Sequence, residues 1–508
     1  MANFDYTSPS VSIPFRSNGG GLNSTGSPTS LQDNESSGLQ NIDFDKFGSF
    51  KKRNGYTALN TSAFNSGAAW NGLYFLELSS GTDYLLGTCG NKLAKMDSLD
   101  GTWDDITGAL TVTAGNDNHV SWATHLNTAI GTNNVDVPFI WTGTGNGSAM
   151  TVPTGLTKAK YVNIFANYTT LANVTVSGTL HASRVYWSTI DSISAWSSSD
   201  FRDLGKNDGQ EITGSKTLGS SWVVFKDRSI WVGSFTGDSD IPFIFDKSRS
   251  PVGAVSGYDI EEVENGLIFH SYDGMYFFDG NNSFKISDRI QSTFEDMNAN
   301  RFKDIVGIYY RRKNRYLGSF TLSGSSTHDR NITWNSDLNA YSIYKGINAN
   351  CFARVYSSGQ ERIYFGDYSG YVYRMDTGTD DYPANAITAI DAYYYTKWFD
   401  YGDLISKKAT PEVKIYHQIA NTSLTFSYSY NFESADQYSQ IVSLTGGSSV
   451  YDTALYDTAT YANEGGAVKR RDVTGRGEVV RFKFSNSQTS ETFTIDAFAA
   501  FPHAETSI

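Results

Sequence analysis

Hydrophobic and polar positions alternate along most of the chain in short runs, the period expected of half-buried β-strands. Leu73-Tyr-Phe-Leu-Glu-Leu78 is followed closely by Asp83-Tyr-Leu-Leu-Gly-Thr88. Trp222-Val-Val-Phe225 and Ser229-Ile-Trp-Val232 flank a three-residue connection, Lys226-Asp227-Arg228. Gly266-Leu-Ile-Phe269 and Met275-Tyr-Phe-Phe278 flank Tyr272-Asp273-Gly274. Ile308-Tyr-Tyr310 with Tyr316-Leu-Gly-Ser-Phe320, and Arg362-Ile-Tyr-Phe365 with Tyr371-Val-Tyr373, repeat the pattern. Gly at such turns supplies the positive φ that tight hairpins need. Successive hairpins fall roughly 40 to 60 residues apart, the length of a four-stranded propeller blade. Residues 62–386 therefore predict a β-propeller of about six blades; a large β-sandwich is the alternative. Over 387–508 the alternating runs lengthen, as in Leu424-Thr-Phe-Ser-Tyr-Ser-Tyr430 and Val479-Val-Arg-Phe-Lys-Phe484, and predict a β-sandwich platform. Residues 1–61 are rich in Gly, Ser and Asn and predict an extended arm docking on that platform, which makes the propeller an insertion. Only residues 291–300 suggest a helical turn.

Composition sharpens this all-β expectation. The 508 residues are 14 % aromatic and 18 % charged, with 47 Gly and only 10 Pro. So many aromatics exclude a disordered chain, and so few charges exclude a coiled coil. The net charge of −13 argues against a basic nucleic-acid coat. No apolar run approaches the ~18 residues of a membrane helix. The two cysteines, Cys89 and Cys351, read as small buried apolar residues in place of a disulfide framework. The N-terminus shows no signal-peptide pattern, so synthesis and folding in a cytoplasm are expected.

Motifs for chemistry are sparse. There is no His-Glu-x-x-His, no paired-Cys zinc spacing, no phosphate-binding Gly-Lys-Ser/Thr loop and no nucleophile elbow. Gly143-Thr-Gly145-Asn-Gly147 lacks a following helix and reads as a turn. Ser98-Leu-Asp100-Gly101-Thr-Trp103 resembles the Asp-box turn of sialidase-type propellers, but its Asp and Gly are adjacent and it occurs once. No catalytic residue, metal ligand or cofactor follows, and an enzyme is not expected. Three basic clusters stand out: Lys51-Lys52-Arg53, Arg311 to Arg315, and Lys469-Arg470-Arg471 with Arg476. Each reads as a solvated turn or as a contact for an acidic partner or DNA phosphates.

The order of short motifs resembles one family. Gly20-Gly-Leu-Asn23, Leu39-Gln-Asn41-Ile-Asp-Phe44 and Phe47-Gly48-Ser-Phe-Lys-Lys-Arg53-Asn54-Gly55-Tyr56 open it. Tyr186-Trp187-Ser188, Ala195-Trp196-Ser197, Asp273-Gly274-Met-Tyr276 and Ile286-Ser287-Asp288-Arg289-Ile290 continue it, and Gly475-Arg476-Gly477 with Arg481-Phe482-Lys-Phe484 closes it. Together they are similar to nozzle-type tail proteins of short-tailed bacteriophages, the tail tubular protein B and packaged-DNA stabilisation groups. The resemblance implies a propeller on a sandwich platform, in a six-fold ring extending the tail channel below an adaptor ring. It implies a structural virion protein, assembled in the host cytoplasm, that retains packaged DNA and guides its ejection.

The expected partners are other copies of the chain in a homohexamer, the tail adaptor, tail fibres or spikes, DNA sliding through the lumen without sequence-specific contact, and transiently the host envelope. Net negative charge would keep phosphates from adhering to such a conduit. Candidate contacts between subunits or to the adaptor are Gly20, Leu22, Asn23, Lys51, Lys52, Arg53, Lys469, Arg470, Arg471 and Arg476. The rival reading is a propeller at the tail tip that binds a receptor or glycan.

Overall fold

A computed structural model describes residues 11–12, 20–45, 48–445 and 466–504, so residues 1–10 and 13–19 of the expected arm lie outside the described residues. The protein is all-β. It divides into two units: unit 1 is Met1–Tyr56, Ile332–Gly346 and Asp376–Ile508, and unit 2 is Thr57–Asn331 and Ile347–Met375. The expected boundaries at 61/62 and 386/387 thus fall at 56/57 and 375/376, and 332–346 groups with unit 1. Among described residues the one α-helix is Gln291–Glu295, within the stretch expected to turn helically.

Unit 2 is a succession of antiparallel sheets in which each strand pairs with its neighbour in sequence. Five four-stranded sheets begin with the strands Trp70–Glu77, Ser121–His125, Leu156–Phe165, Ile212–Leu218 and Glu261–Val263. A hairpin of Val306–Tyr310 and Arg315–Phe320 follows. The last sheet takes Cys351–Ser357, Gln360–Gly366 and Val372–Met375, and completes itself with the strand Tyr56–Ala58 from far upstream. Its closure continues where Leu59 N donates to Val372 O (2.7 Å) and Phe64 N to Gly370 O (2.9 Å).

Each sheet packs on the next through apolar side chains. Leu76 and Leu86 of the first meet Phe139 and Trp141 of the second. Ile130 meets Leu171 and Val174, Phe165 meets Trp222 and Phe243, and Phe225 meets Phe269 and Phe278. The last sheet packs on the first, with Val355, Tyr364 and Val372 against Trp70, Leu85 and Met96. Trp103 of the Asp-box-like turn joins this core, 4.3 Å from Trp70 between ring centroids, while Asp100 caps Thr102 N at 2.8 Å. Cys89 and Cys351 are buried free thiols in the same core, and burial pushes the Cys89 thiol up to about 12.

Unit 1 is a sandwich of two sheets. The smaller has the order Gly466–Asp472, Lys408–Gln418, Thr494–Ala504, Phe50–Lys52, Ile42–Phe44, with Val11–Ser12 also on Thr494–Ala504. The larger, the part of a ten-stranded sheet that falls in this unit, runs Arg330–Asn335, Ala340–Lys345, Gly21–Leu22, Glu35–Gln40, Ala392–Thr396, Val480–Asn486, Ser423–Tyr430, Tyr438–Ser443. Rings of the two sheets interleave: Phe50 stacks on Tyr394 at 4.3 Å, and Phe498 lies 5.9 and 5.5 Å from Phe482 and Phe484. The described strands of the expected arm up to Lys52 are thus built into these sheets, while Tyr56–Ala58 belongs to the last sheet of unit 2. Gly21, at φ 61°, pairs in parallel with both Glu35 and Tyr341; a Cβ there would lie 2.5 Å from Tyr341 N. Only glycine fits so close a backbone approach in that conformation.

Candidate functional site

Unit 2 encloses a cavity of about 360 Å³. All seven of its sheet units contribute their first strands, through Tyr74, Trp122, Tyr161, Lys216, Glu261, Ile308 and Arg354 among others. Aromatic faces pair around it. Tyr74 stacks on Trp122 at 5.7 Å, and Tyr161 lies 5.6 Å from Tyr258. Arg354 donates to Glu261 Oε2 at 2.7 Å and to Tyr309 O at 2.6 Å, and its Nε lies 2.8 Å from Glu361. Lys216 makes no such ion pair among the described residues.

Beside the cavity sits a buried titratable cluster. His119 lies 5.1 Å from the Tyr258 ring and parallel to His328 at 6.4 Å. His328 Nδ1 is 2.7 Å from Ala349 O. Burial lowers His119 to about 3 and His328 to about 4, because a charged imidazole there would be desolvated; His328 adds repulsion at His119, and Arg301 adds it at His328. Burial also pushes the Asp304 carboxyl up to about 6, against the pull of Arg301. Arg301 itself is held in a bidentate pair with Asp117 at 2.8 and 2.6 Å. A second buried pair, His270 Nδ1 with Asp259 Oδ2 at 2.6 Å, is backed by Tyr316, whose hydroxyl donates to Asp259 O at 3.1 Å.

At neutral pH the two stacked imidazoles are uncharged, and the hydroxyls nearby are spent on sheet contacts. Ser215 accepts from Trp222 Nε1 at 2.8 Å, and the Cys351 thiol donates to Trp70 O at 3.4 Å. Burial raises that thiol further from ionisation. The arrangement holds sheets together and presents an aromatic, mixed-charge lining.

The candidate contact residues divide sharply. Gly20, Leu22, Lys52 and Arg53 are buried inside their own unit, so they offer little surface to another copy or an adaptor. Arg53 makes a bidentate pair with Asp381 (2.8 and 2.6 Å) and also donates to Asn41 Oδ1 and Lys345 O. Lys52 Nζ donates to Asn486 Oδ1 (2.9 Å) and Gln488 O (3.0 Å), and burial lowers its pKa. Lys51 is half-buried on the strand Phe50–Lys52, where a turn was expected. Asn23 is half-buried and folds its side chain onto Gly26 N (3.0 Å). Lys469, Arg470 and Arg471 lie on the edge strand Gly466–Asp472, with Arg470 mostly exposed though paired with Glu412 at 2.9 Å. Arg476 is exposed.

The cavity residues and the histidine cluster were not singled out from sequence. Each comes from a different sheet, and no spacing along the chain links His119 to Tyr258 or His328.

No family model matches the chain, and no curated protein matches it. Among solved structures, the computationally designed Ika8 protein is similar, with a TM-score of 0.38 and 11 % identity over 63 % of this chain and 99 % of that one.

Proposed function

We propose that unit 2 is a β-propeller of seven blades, one more than the repeat spacing suggested, and that the chain is a structural tail protein of a bacteriophage. In this reading six copies form a nozzle ring that extends the DNA channel, retains the packaged genome and guides its ejection. The observation that carries it is the chain path: residues 20–56 and 376–504 share one sandwich, while the intervening chain makes a succession of sheets whose last packs on its first. That path agrees with an insertion between two parts of one platform, as expected from the sequence, and supports the propeller on a sandwich platform that the family resemblance implies. Its buried titratable groups suit a ring component with no catalytic duty. Arg470, Arg471 and Arg476 remain contact candidates at the surface of an otherwise acidic chain, facing another copy or the adaptor.

The test is disruption of the gene in the phage that carries it, with particles scored by electron microscopy and by encapsidated DNA. Particles lacking the tail extension and leaking DNA are expected. Full, stable particles that fail only to adsorb would replace this reading with the second one, a propeller that recognises a receptor or glycan. The aromatic lining of the unit 2 cavity favours that alternative.

A further inference from the structure

The larger sheet of unit 1 has one face on the sandwich core and one turned away from it. On the outward face the register assembles a trough. Burial alternates along Val480–Asn486, leaving Arg481, Lys483 and Ser485 outward. Ser485 is flanked in register by Tyr393 and Thr425, and Lys483 by Tyr395 and Ser427; Ser427 in turn faces Ser439. Paired residues share a face, so short hydroxyl side chains form a floor between Tyr393 on one side and Ser439 on the other. The walls are three strand spacings apart, about 14 Å. The trough measures about 400 Å³, with Asp391 at one end and Asp436 near the other.

We propose that this trough binds a neutral oligosaccharide. The inference is independent of the nozzle reading and concerns a different surface from the propeller cavity. No aliphatic side chain lines the trough, so an apolar helix or lipid finds nothing to bury against. Its one cation, Lys483, is tied to Asp436 at 2.8 Å and lies over the Tyr395 ring at 4.9 Å. Arg481 alongside is held between the rings of Tyr395 and Trp398 at 4.2 and 4.6 Å. Asp391 then leaves the trough net negative, which disfavours a nucleic acid or other polyanion. A sugar both donates and accepts through every hydroxyl. Asp391 offers acceptor oxygens, and Thr425 and Ser487 have no side-chain partner among the described residues. Tyr393, packed edge-on against Tyr395 at 5.5 Å and with Lys483 Nζ 5.7 Å from its ring centre, supplies an aromatic wall beside that cation for the C–H face of a pyranose ring.

The experiment screens the full chain on an array carrying neutral hexose and N-acetylhexosamine oligosaccharides beside sulfated and sialylated ones, and titrates the best neutral hexasaccharide by calorimetry. Binding to neutral oligosaccharides is expected. Ser485→Trp, which fills the floor, should abolish it. Tyr393→Ala and Asp391→Asn, both at solvent-facing positions, should each weaken it about tenfold. These two variants decide the matter if the tryptophan variant does not fold. Failure to bind any neutral oligosaccharide, preference for the anionic ones, or binding undiminished in all three variants would overturn the proposal.

Discussion

In unit 2 a strand finds its partner a few residues away. Leu156–Phe165 turns directly into Tyr168–Val176, and Ser221–Lys226 into Ser229–Phe235. In unit 1 partners come from opposite ends of the chain. Gly21 pairs with Tyr341, Gln40 with Tyr393, and Lys51 with Thr494. Both units bury aromatic cores, yet they depend on the chain differently. A meander closes each loop at small entropic cost, whereas the sandwich must bring distant segments together before any strand is rewarded. Unit 1 also buries Arg53 and Lys52, whose partners stand hundreds of residues away, whereas the buried Lys226 of unit 2 pairs with Asp208 nearby in the chain. The comparison says where each unit is fragile: unit 1 at its N-terminal strands and its remotely paired cations, unit 2 at the protonation of His119 and His328.

The largest effect should come from deleting residues 1–40. This removes Gly21–Leu22 and Glu35–Gln40, which lie between Ala340–Lys345 and Ala392–Thr396 in the larger sheet. The loss should exceed the stability of a typical domain, about 5–15 kcal/mol. Amides of 408–418 and 480–486 should lose protection from hydrogen exchange, while those of 221–226 and 266–271 keep it. Equal loss in both regions would erase the distinction between the units.

Next in size is the buried ion pair. Arg53→Met strands the Asp381 carboxylate in the interior and should cost unit 1 about 3–5 kcal/mol. The double variant Arg53→Met with Asp381→Leu should recover most of that, since an apolar pair of similar volume leaves no charge unpaired. Urea denaturation read by amide exchange within unit 1 measures both. A double variant no more stable than the single would show that Arg53 acts through Asn41 and Lys345 O instead.

Unit 2 should be the acid-sensitive one. His119 and His328 stay neutral in the fold down to about 3 and about 4, while in the unfolded chain they take up protons near 6.5. Below pH 6.5 the unfolded state therefore binds more protons and stability falls as pH drops. By pH 5 each histidine should cost about 2 kcal/mol. Asp304 works the other way. Its folded pKa of about 6 is raised, so its stabilising protonation is present at low pH and lost as pH rises through 6, partly offsetting the histidines. Thermal melts of wild type and His328→Asn between pH 7 and 5 should show a steep slope flattened by the substitution. Identical slopes would remove these histidines from the account.

What could be read in the sequence follows the same division. The meanders of Trp222 to Val232 and Gly266 to Phe278 were visible because aromatic strands flank short turns. The sheets starting at Ser121 and Leu156 went unread. The first relies on Thr128–Thr132, a strand of Thr, Ala, Ile and Gly, and on the three-residue Phe139–Trp141. The basic run Lys51 to Arg53 looked like a surface cluster because its satisfying groups are remote. Asp381 stands 328 residues from Arg53, and only the fold brings it to 2.6 Å. Segment 332–346 has the same alternation as its neighbours, and alternation does not say which sheet a strand will join. The cavity stayed hidden for a related reason: seven strands supply one or a few residues each.

The smallest effect tests the turn that sequence reading missed. Leu156–Phe165 and Tyr168–Val176 are joined by Ala166 and Asn167, at φ 49° and 65°. Both residues are left-handed, as a two-residue hairpin turn requires, but there is no glycine to mark it. Asn tolerates that conformation; alanine adopts it at about 1 kcal/mol. Ala166→Gly removes the strain, though it also gives the unfolded chain more freedom, which works against the gain. The net should be a stabilisation of a few tenths of a kcal/mol, up to about 1. It should appear as a raised urea midpoint for amides in 156–176, with unit 1 unmoved. A lowered midpoint would mean that Ala166 is held without strain and that local pairing in unit 2 owes less to its turns than to the apolar faces it buries.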